Sequence, residues 1–273
     1  MKVFKFISAL FLALSLQSCE EVIDLELDTA APKLVVDASI KWQKGTSGNQ
    51  QIIRLSTTAP YFDNVIPGVA NAVVYITDSA GNSYDFPPTQ TTGEYLCTSF
   101  LPVLNETYTL TVIHDNQTYT AVETLRGVPM IDEVVLTEDA GFSGEDTEVK
   151  VFFTDNDQTT DFYLVTLLVS DQVLPNYQVQ NDNFTQGNQS FGLFNIEDLE
   201  SGDQLQITLA GLSEQYHNYL RILLSIAGGG SGSPFQSPPV TVRGNLVNQT
   251  DFDNFALGYF SLSEVDSREL TID

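Results

Sequence analysis

The sequence predicts a mostly all-β protein, in which an immunoglobulin-like β-sandwich is followed by a second β-rich domain with one amphipathic helix. Three observations support this fold class. Apolar and polar residues alternate with a period of two between frequent turn signals, as in half-buried strands. Aromatic residues are abundant, with 17 Phe and 11 Tyr in 273 residues. Residues 212–227 are the exception, because their apolar residues recur at helical spacing.

About seven short strands are predicted between residues 33 and 127. Their ranges are 33–40, 51–57, 70–77, 83–86, 93–97, 106–114 and 117–125. Turn residues separate several of them, such as Asp115-Asn116. This density of short strands is typical of an immunoglobulin-like sandwich. Cys97 is expected to be a small buried strand residue, and it has no partner for the disulfide of a true immunoglobulin domain.

Residues 128–273 are predicted to form the second domain, with the junction at Gly127-Val128-Pro129. Strands are expected at 131–137, 147–154, 161–170, 239–247, 256–263 and 268–272. Residues 171–203 are rich in Asn, Gln and Asp, which indicates long loops with one short strand. The helix near 212–227 has Ser213 as its expected N-cap and Gly228-Gly229-Gly230 as its stop.

The distribution of charge supports the same division. Residues 19–127 carry 13 acidic and 5 basic residues, whereas residues 128–273 carry 23 and 4. The whole chain has a net charge of −25. Nucleic acid is excluded as a partner, because its binding needs basic patches. Cations, neutral ligands or a basic protein surface are the expected partners.

Residues 1–18 have the pattern of a secretory signal peptide, since Lys2 and Lys5 precede an apolar run that is too short to cross a bilayer stably. The segment that ends in Cys19 resembles a lipobox, in which this cysteine is acylated after cleavage. The alternative is an ordinary signal peptide with an incidental cysteine. Several acyl chains on Cys19 would anchor the protein to outer-membrane lipid.

Residues 19–32 are predicted to be a lipidated acidic tether. Glu20 and Glu21 follow the cysteine directly and resemble the surface-export signal of Bacteroidota lipoproteins. The expected location is therefore the outer membrane, lipid-anchored and facing the cell exterior. A solvated acidic tether without such a role is the alternative, and the periplasmic face stays open.

Several segments of the sequence, taken in their order along the chain, resemble one family. They are 19–25 (CEEVIDL), 32–36 (PKLVV), 55–62 (LSTTAPYF), 72–78 (AVVYITD), 244–248 (GNLVN) and 257–261 (LGYFS). The chain is similar over nearly its whole mature length to a Bacteroidota lipoprotein family catalogued as domain of unknown function 4249. The resemblance implies a cell-envelope lipoprotein, often encoded beside a TonB-dependent outer-membrane receptor, and it assigns no catalytic residues.

Sequence motifs of the common catalytic sites are absent. The two histidines, His114 and His217, are expected to be surface or packing residues. The chain has no HExxH, no paired Cys ligands, no GxSxG and no nucleotide-binding loop. We therefore predict that the protein is not an enzyme and requires no cofactor. Carboxylate pairs are abundant, so a glycosidase-type hydrolase remains a third hypothesis.

The sequence contains one candidate metal-binding segment. Asp155, Asp157 and Asp161 offer oxygen ligands at alternating positions, which suits a structural calcium ion. The segment lacks the glycine and the distal Glu of an EF-hand, and a polar turn between strands explains it equally well.

Four aromatic residues in polar segments are candidate contacts for a ligand or partner: Tyr61, Phe62, Tyr177 and Phe184. Exposed aromatic rings stack on sugars and pack in protein interfaces. The alternative is that they fold back onto the ends of the sandwiches.

The leading functional hypothesis is a non-catalytic surface lipoprotein that serves as an accessory or ligand-capturing subunit of a TonB-dependent outer-membrane receptor. The loops of the second domain would form its contact surface. The alternative is a stand-alone glycan-binding module or adhesin.

Overall fold

The computed structural model describes residues 31–60, 63, 65–140, 144, 146–197, 199–227 and 242–272. Cys19, Glu20 and Glu21, and with them the signal peptide and the acidic tether, lie outside the described residues, as do Tyr61 and Phe62. Residues 32–273 form one compact unit. Strands dominate it and one helix interrupts them, so the predicted fold class is confirmed.

Seven strands from residues 34–124 belong to the first sandwich. They are β1 (Leu34–Gln43), β2 (Gln51–Thr57), β3 (Val73–Asp78), β4 (Ser83–Asp85), β5 (Glu94–Cys97), β6 (Thr107–His114) and β7 (Gln117–Thr124). Strands β1, β2 and β5 lie side by side in one sheet, and β7, β6, β3 and β4 in the other. Inward-facing residues of both sheets meet in one core, which includes Ile40, Ile53, Tyr95, Leu110 and Cys97. Burial of the unpaired Cys97 agrees with its predicted role.

A tyrosine corner marks this sandwich as immunoglobulin-like. The hydroxyl of Tyr108 at the start of β6 donates to the carbonyl oxygen of Leu101 at 2.8 Å. The same hydroxyl accepts from the backbone N–H of Val103 at 3.0 Å. Such a bond from the penultimate strand to the preceding backbone is a hallmark of these sandwiches. It satisfies buried polar groups and holds the connection between β5 and β6 against the core.

The second sandwich is formed by β8 (Ile131–Ala140), β9 (Asp146–Thr154), β10 (Phe162–Val169), β11 (Asn176–Asn181), β12 (Gln189–Ile196), β13 (Gln204–Leu212) and part of β15 (Leu257–Thr271). A sheet in the order β12-β9-β8 packs against one in the order β11-β10-β13-β15. The prediction of long loops with one short strand for 171–203 is wrong in part. This segment contains both β11 and β12, and β13 follows it directly. The outward residues of β12 include the apolar Phe191 and Leu193 as well as polar ones, so the segment has no clean alternation.

The helix α1 (Glu214–Ala227) confirms the predicted helical segment. Ser213 is its N-cap, because its Oγ accepts a hydrogen bond from the N–H of Tyr216 at 3.1 Å. The expected stop at Gly228–Gly230 lies outside the described residues. Within the parts of the chain that the structure describes, no helix is long and apolar enough to cross a membrane.

The C-terminal strands differ from the prediction. Residues 239–241 are not among those described, residues 242–246 are not a strand, and β14 (Val247–Asn248) is a short pairing with β7. The two strands expected at 256–263 and 268–272 are one continuous strand, β15. Its polar middle, Ser263–Ser267, suggested a break, yet Glu264 and Asp266 are buried there.

Strand β15 belongs to both sandwiches. Residues 257–265 pair in parallel with β1, and residues 265–271 pair antiparallel with β13. A single seven-stranded sheet, β11-β10-β13-β15-β1-β2-β5, therefore runs through both halves. The predicted boundary at 127/128 lies between most members of the two cores, but Leu246, Ala256, Phe260 and Leu262 return to the first core.

Buried acids of β15 hold the junction between the sandwiches. The Glu264 carboxylate accepts from Lys44 Nζ at 2.7 Å and from the Val128 N–H at 3.1 Å. The Asp266 carboxylate accepts from the Ile131 N–H at 2.8 Å. These bonds explain how charged residues tolerate burial in the middle of a strand.

Candidate functional site

Three carboxylates converge where β9, β10 and β11 end or begin. The carboxylate oxygens of Asp155, Asp161 and Asp182 lie within 4.8 Å of one another. The β10–β11 register places Phe162 opposite Asn181, so the flanking Asp161 and Asp182 also face each other. Their backbones are joined by a bond from the Asp182 N–H to the Asp161 carbonyl at 3.2 Å. We call this group the acidic cluster.

Hydrogen bonds hold the acidic cluster in place. Asp155 accepts from the Tyr163 hydroxyl and from the Gly187 N–H at 3.0 Å. Asp182 accepts from the Asp161 N–H at 2.7 Å. In the described part of the chain, no Lys or Arg nitrogen lies within 4.0 Å of these three carboxylates.

The electrostatics at Asp161 favour retention of its proton. Burial raises the pKa of Asp161, a bond from Thr159 opposes the rise, and the neighbouring charges of Asp155 and Asp182 add to it. Burial also raises the pKa of Tyr163, as does its bond to Asp155. Three carboxylates at this spacing repel one another, so a proton or a cation would stabilise the arrangement.

The predicted calcium residues are only partly brought together. Asp155 and Asp161 lie in the acidic cluster, whereas Asp157 is exposed and its carboxylate accepts from the Gln158 amide at 2.7 Å. The third carboxylate is that of Asp182, which the sequence did not single out. Its contribution depends on the register of the β10–β11 hairpin, for which the primary sequence carries no local signal.

A polar cavity of about 450 Å³ adjoins the acidic cluster. One wall consists of Asp161, Phe162, Asn181 and Asn183 from β10 and β11 and the adjoining loops. The helix α1 contributes Glu214, His217, Asn218 and Arg221 to the lining, and Arg126 of the junction also lines the cavity. We call it the helix cavity. Arg126 and Asp161 also line a second cavity of about 490 Å³ that contains Asp155, Tyr163 and Glu264.

His217 is a buried member of the helix cavity, and its role as a packing residue agrees with the prediction. Its ring lies 5.0 Å from that of Phe162. Burial lowers the pKa of His217, and the positive charge of Arg221 adds to this effect, so the ring is neutral at neutral pH. Its Nδ1 is buried without a hydrogen-bond partner among the described residues. His114, by contrast, ends β6 with its Nε2 3.3 Å from a carboxylate oxygen of Asp115.

The aromatic contact candidates in the second sandwich lie at its surface. Phe184, in the loop between β11 and β12, is 99% exposed, and Tyr177 of β11 is 47% exposed. Sequence reasoning missed two further exposed apolar residues, Val173 and Leu174, which are 93% and 74% exposed and lie in the β10–β11 turn, at the other end of β11 from Phe184. Two adjacent apolar residues within a polar segment were the available signal.

The chain matches one family model and is similar to several solved structures. A model of the family described as "Domain of unknown function (DUF4249)" matches residues 20–269. No curated protein matches the chain. Among solved structures, a two-fibronectin type-III domain segment from chicken tenascin is 14% identical, covers 66% of this chain and 90% of that chain, and has a TM-score of 0.22.

Two further solved structures are similar to a comparable degree. A DUF4785 family protein from Legionella pneumophila is 11% identical, with 65% and 52% of the two chains covered and a TM-score of 0.27. The FN1–FN3 domains of chicken CNTN1 are 10% identical, with 67% and 60% covered and a TM-score of 0.21. At these identities and TM-scores the likeness says nothing about function.

Proposed function

Because the chain belongs to the family described as domain of unknown function DUF4249, we propose that it is a non-catalytic cell-surface lipoprotein of the outer membrane that serves as an accessory or ligand-capturing subunit of a TonB-dependent receptor. Acylated Cys19 anchors it, and Glu20 and Glu21 direct it to the exterior. The second sandwich contacts the receptor barrel.

The observation that carries this proposal is the exposure of apolar side chains at two loops of the second sandwich. Phe184 at one end of β11 is 99% exposed, and Val173 and Leu174 at the other end are 93% and 74% exposed. Single exposed apolar residues are common on soluble proteins, but Phe is enriched in the buried cores of protein interfaces, so the fully exposed Phe184 offers a side chain that a partner can bury. Burial of such a ring stabilises a complex by about 2 kcal/mol.

The continuous sheet supports the same role. Since β15 pairs with β1 and with β13, and buried Glu264 and Asp266 hold the junction, the two sandwiches resist bending relative to each other. A partner that binds the loops therefore meets a pre-organised surface, which lowers the entropic cost of association.

The test is a mild-detergent pull-down of the natively expressed, lipidated protein, followed by mass spectrometry. We expect a β-barrel receptor in near-stoichiometric amount with the wild type. Phe184→Ser should reduce its recovery at least about tenfold, since anchor residues dominate interface energies. Phe252→Ser is the matched control, because Phe252 is also well exposed but follows β14 beside the first sandwich.

Absence of a barrel under several detergents would contradict the receptor partnership. Equal loss with Phe184→Ser and Phe252→Ser would contradict the assignment of the contact surface.

The alternative function, a stand-alone glycan-binding module or adhesin, is favoured by the helix cavity. Its amide side chains from Asn181, Asn183 and Asn218 are suited to hydroxyl groups. Binding of the purified protein to a glycan array with no barrel present would support this alternative.

A further inference from the structure

We propose that the helix cavity binds a small ligand that carries one oxyanion group, a carboxylate or a phosphate, next to several hydroxyl groups, as in an acidic sugar. The inference deepens the proposed ligand-capturing role and rests on it only for its biological meaning. The binding event itself requires nothing beyond this chain.

The first observation is the unpartnered nitrogen of His217. The side chain is only 4% exposed, it lines the helix cavity, and its Nδ1 has no hydrogen-bond partner in the described part of the structure. A buried polar atom without a partner is unfavourable and calls for an explanation. Since this nitrogen has almost no accessible surface, a ligand hydroxyl reaches it only when the His217 ring turns toward the cavity; the hydroxyl both donates and accepts, so it then suits either tautomer of the neutral ring.

The second observation is the position of the two arginines. Arg126 from the junction and Arg221 from α1 line the same cavity. The chain holds 36 acidic residues against 11 basic ones, so carboxylates are available across its surface. Even so, neither guanidinium has a carboxylate oxygen within 4.0 Å among the residues described. A guanidinium presents paired donors that match a carboxylate or phosphate.

The remaining lining residues define the rest of the ligand. Asn181, Asn183 and Asn218 offer amide donors and acceptors, and Phe162 offers a ring. Asp161 and Glu214 also line the cavity and repel a simple inorganic anion, but their oxygens accept bonds from hydroxyl groups. A ligand with a single oxyanion and neighbouring hydroxyls satisfies both kinds of group. The volume of about 450 Å³ falls within the range of small-molecule sites.

The test is titration calorimetry of the purified full-length, natively processed protein in mild detergent, without any receptor. The probes are D-glucuronate, glucose 6-phosphate, glucose and inorganic phosphate. We expect saturable binding of glucuronate or glucose 6-phosphate, at least about tenfold tighter than glucose or inorganic phosphate. The stronger of the two charged sugars identifies the oxyanion as carboxylate or phosphate.

The variants assign the binding to this cavity. Arg221→Gln and Arg126→Gln should each weaken binding of the preferred sugar at least about tenfold, and both residues are exposed enough for the fold to tolerate the change. Arg54→Gln is the matched control, because Arg54 is an exposed arginine of β2, paired with Glu94 in the first sandwich. Its affinity should equal that of the wild type.

Three results would overturn the proposal: no heat with either charged sugar at millimolar concentration, equal affinity for glucose, or unchanged affinity in both cavity variants. Failure of the receptor pull-down leaves these measurements intact, because they contain no receptor. The two proposals can therefore fail separately.

Discussion

Replacement of Glu264 by Ala should destabilise the protein by about 2–3 kcal/mol. The Glu264 side chain is 8% exposed and accepts from Lys44 Nζ at 2.7 Å and from the Val128 N–H at 3.1 Å. Its loss leaves the Val128 N–H buried without a partner, which costs about 1–3 kcal/mol. Lys44 keeps 27% of its side chain exposed and can be rehydrated. Loss of its ion pair therefore accounts for about 1 kcal/mol or less of the destabilisation.

Urea unfolding followed by tryptophan fluorescence measures this loss of stability at the junction. Trp42 is the only tryptophan, and it lies opposite Glu264 in the β1–β15 register, so its fluorescence reports on the junction. Far-UV circular dichroism reports on all strands. We expect the two transitions to coincide in the wild type, because one sheet runs through both sandwiches.

Glu94→Ala is the matched control, since its ion pair with Arg54 is longer, at 3.5 Å, and more exposed. It should cost less than about 1 kcal/mol. Glu264→Gln should lie between the two, because the amide oxygen still accepts from Val128 but carries no charge. A loss for Glu264→Ala no larger than that for Glu94→Ala would refute the reasoning.

Three further predictions concern other buried groups. Burial raises the pKa of Glu123, so the folded protein retains a proton that the unfolded chain releases, and stability falls as pH rises above about 4.5. Glu123→Gln keeps an acceptor for Ser213 Oγ, so its urea midpoint should fall less over this range, and equal slopes would contradict the cause. Tyr108→Phe removes both bonds of the tyrosine corner and should cost about 1–3 kcal/mol in urea unfolding, whereas Tyr177→Phe at the surface should be neutral. The sequence predicts calcium at Asp155, Asp157 and Asp161; if the ion binds the acidic cluster, calorimetry should give heat that Asp182→Asn abolishes and Asp157→Asn preserves, and no heat with the wild type would dispose of the site.

Elements with strong local signals could be predicted from the sequence. Strand β2 has its predicted bounds, and α1 begins after the predicted N-cap Ser213. In these cases alternation, turn residues and capping lie within a few residues of one another. Only one short strand was predicted where both β11 and β12 lie, because neither segment alternates cleanly between apolar and polar residues. Propensity alone does not separate such strands from loops.

The candidate site was likewise predictable from the sequence only in part. The sequence by itself determined the first β-sandwich, the β-rich character of the second half, the helix, the burial of Cys97 and two of the three residues of the acidic cluster. Only the tertiary structure decided that Asp182 is the third, that β15 is one strand shared by both sandwiches, and that Arg126, His217 and Arg221 line one cavity. The physical reason is the separation along the chain between the residues that determine each feature. Alternation and caps depend on neighbours along the chain, whereas register and the burial of Glu264 depend on partners as far away as Lys44, 220 residues earlier.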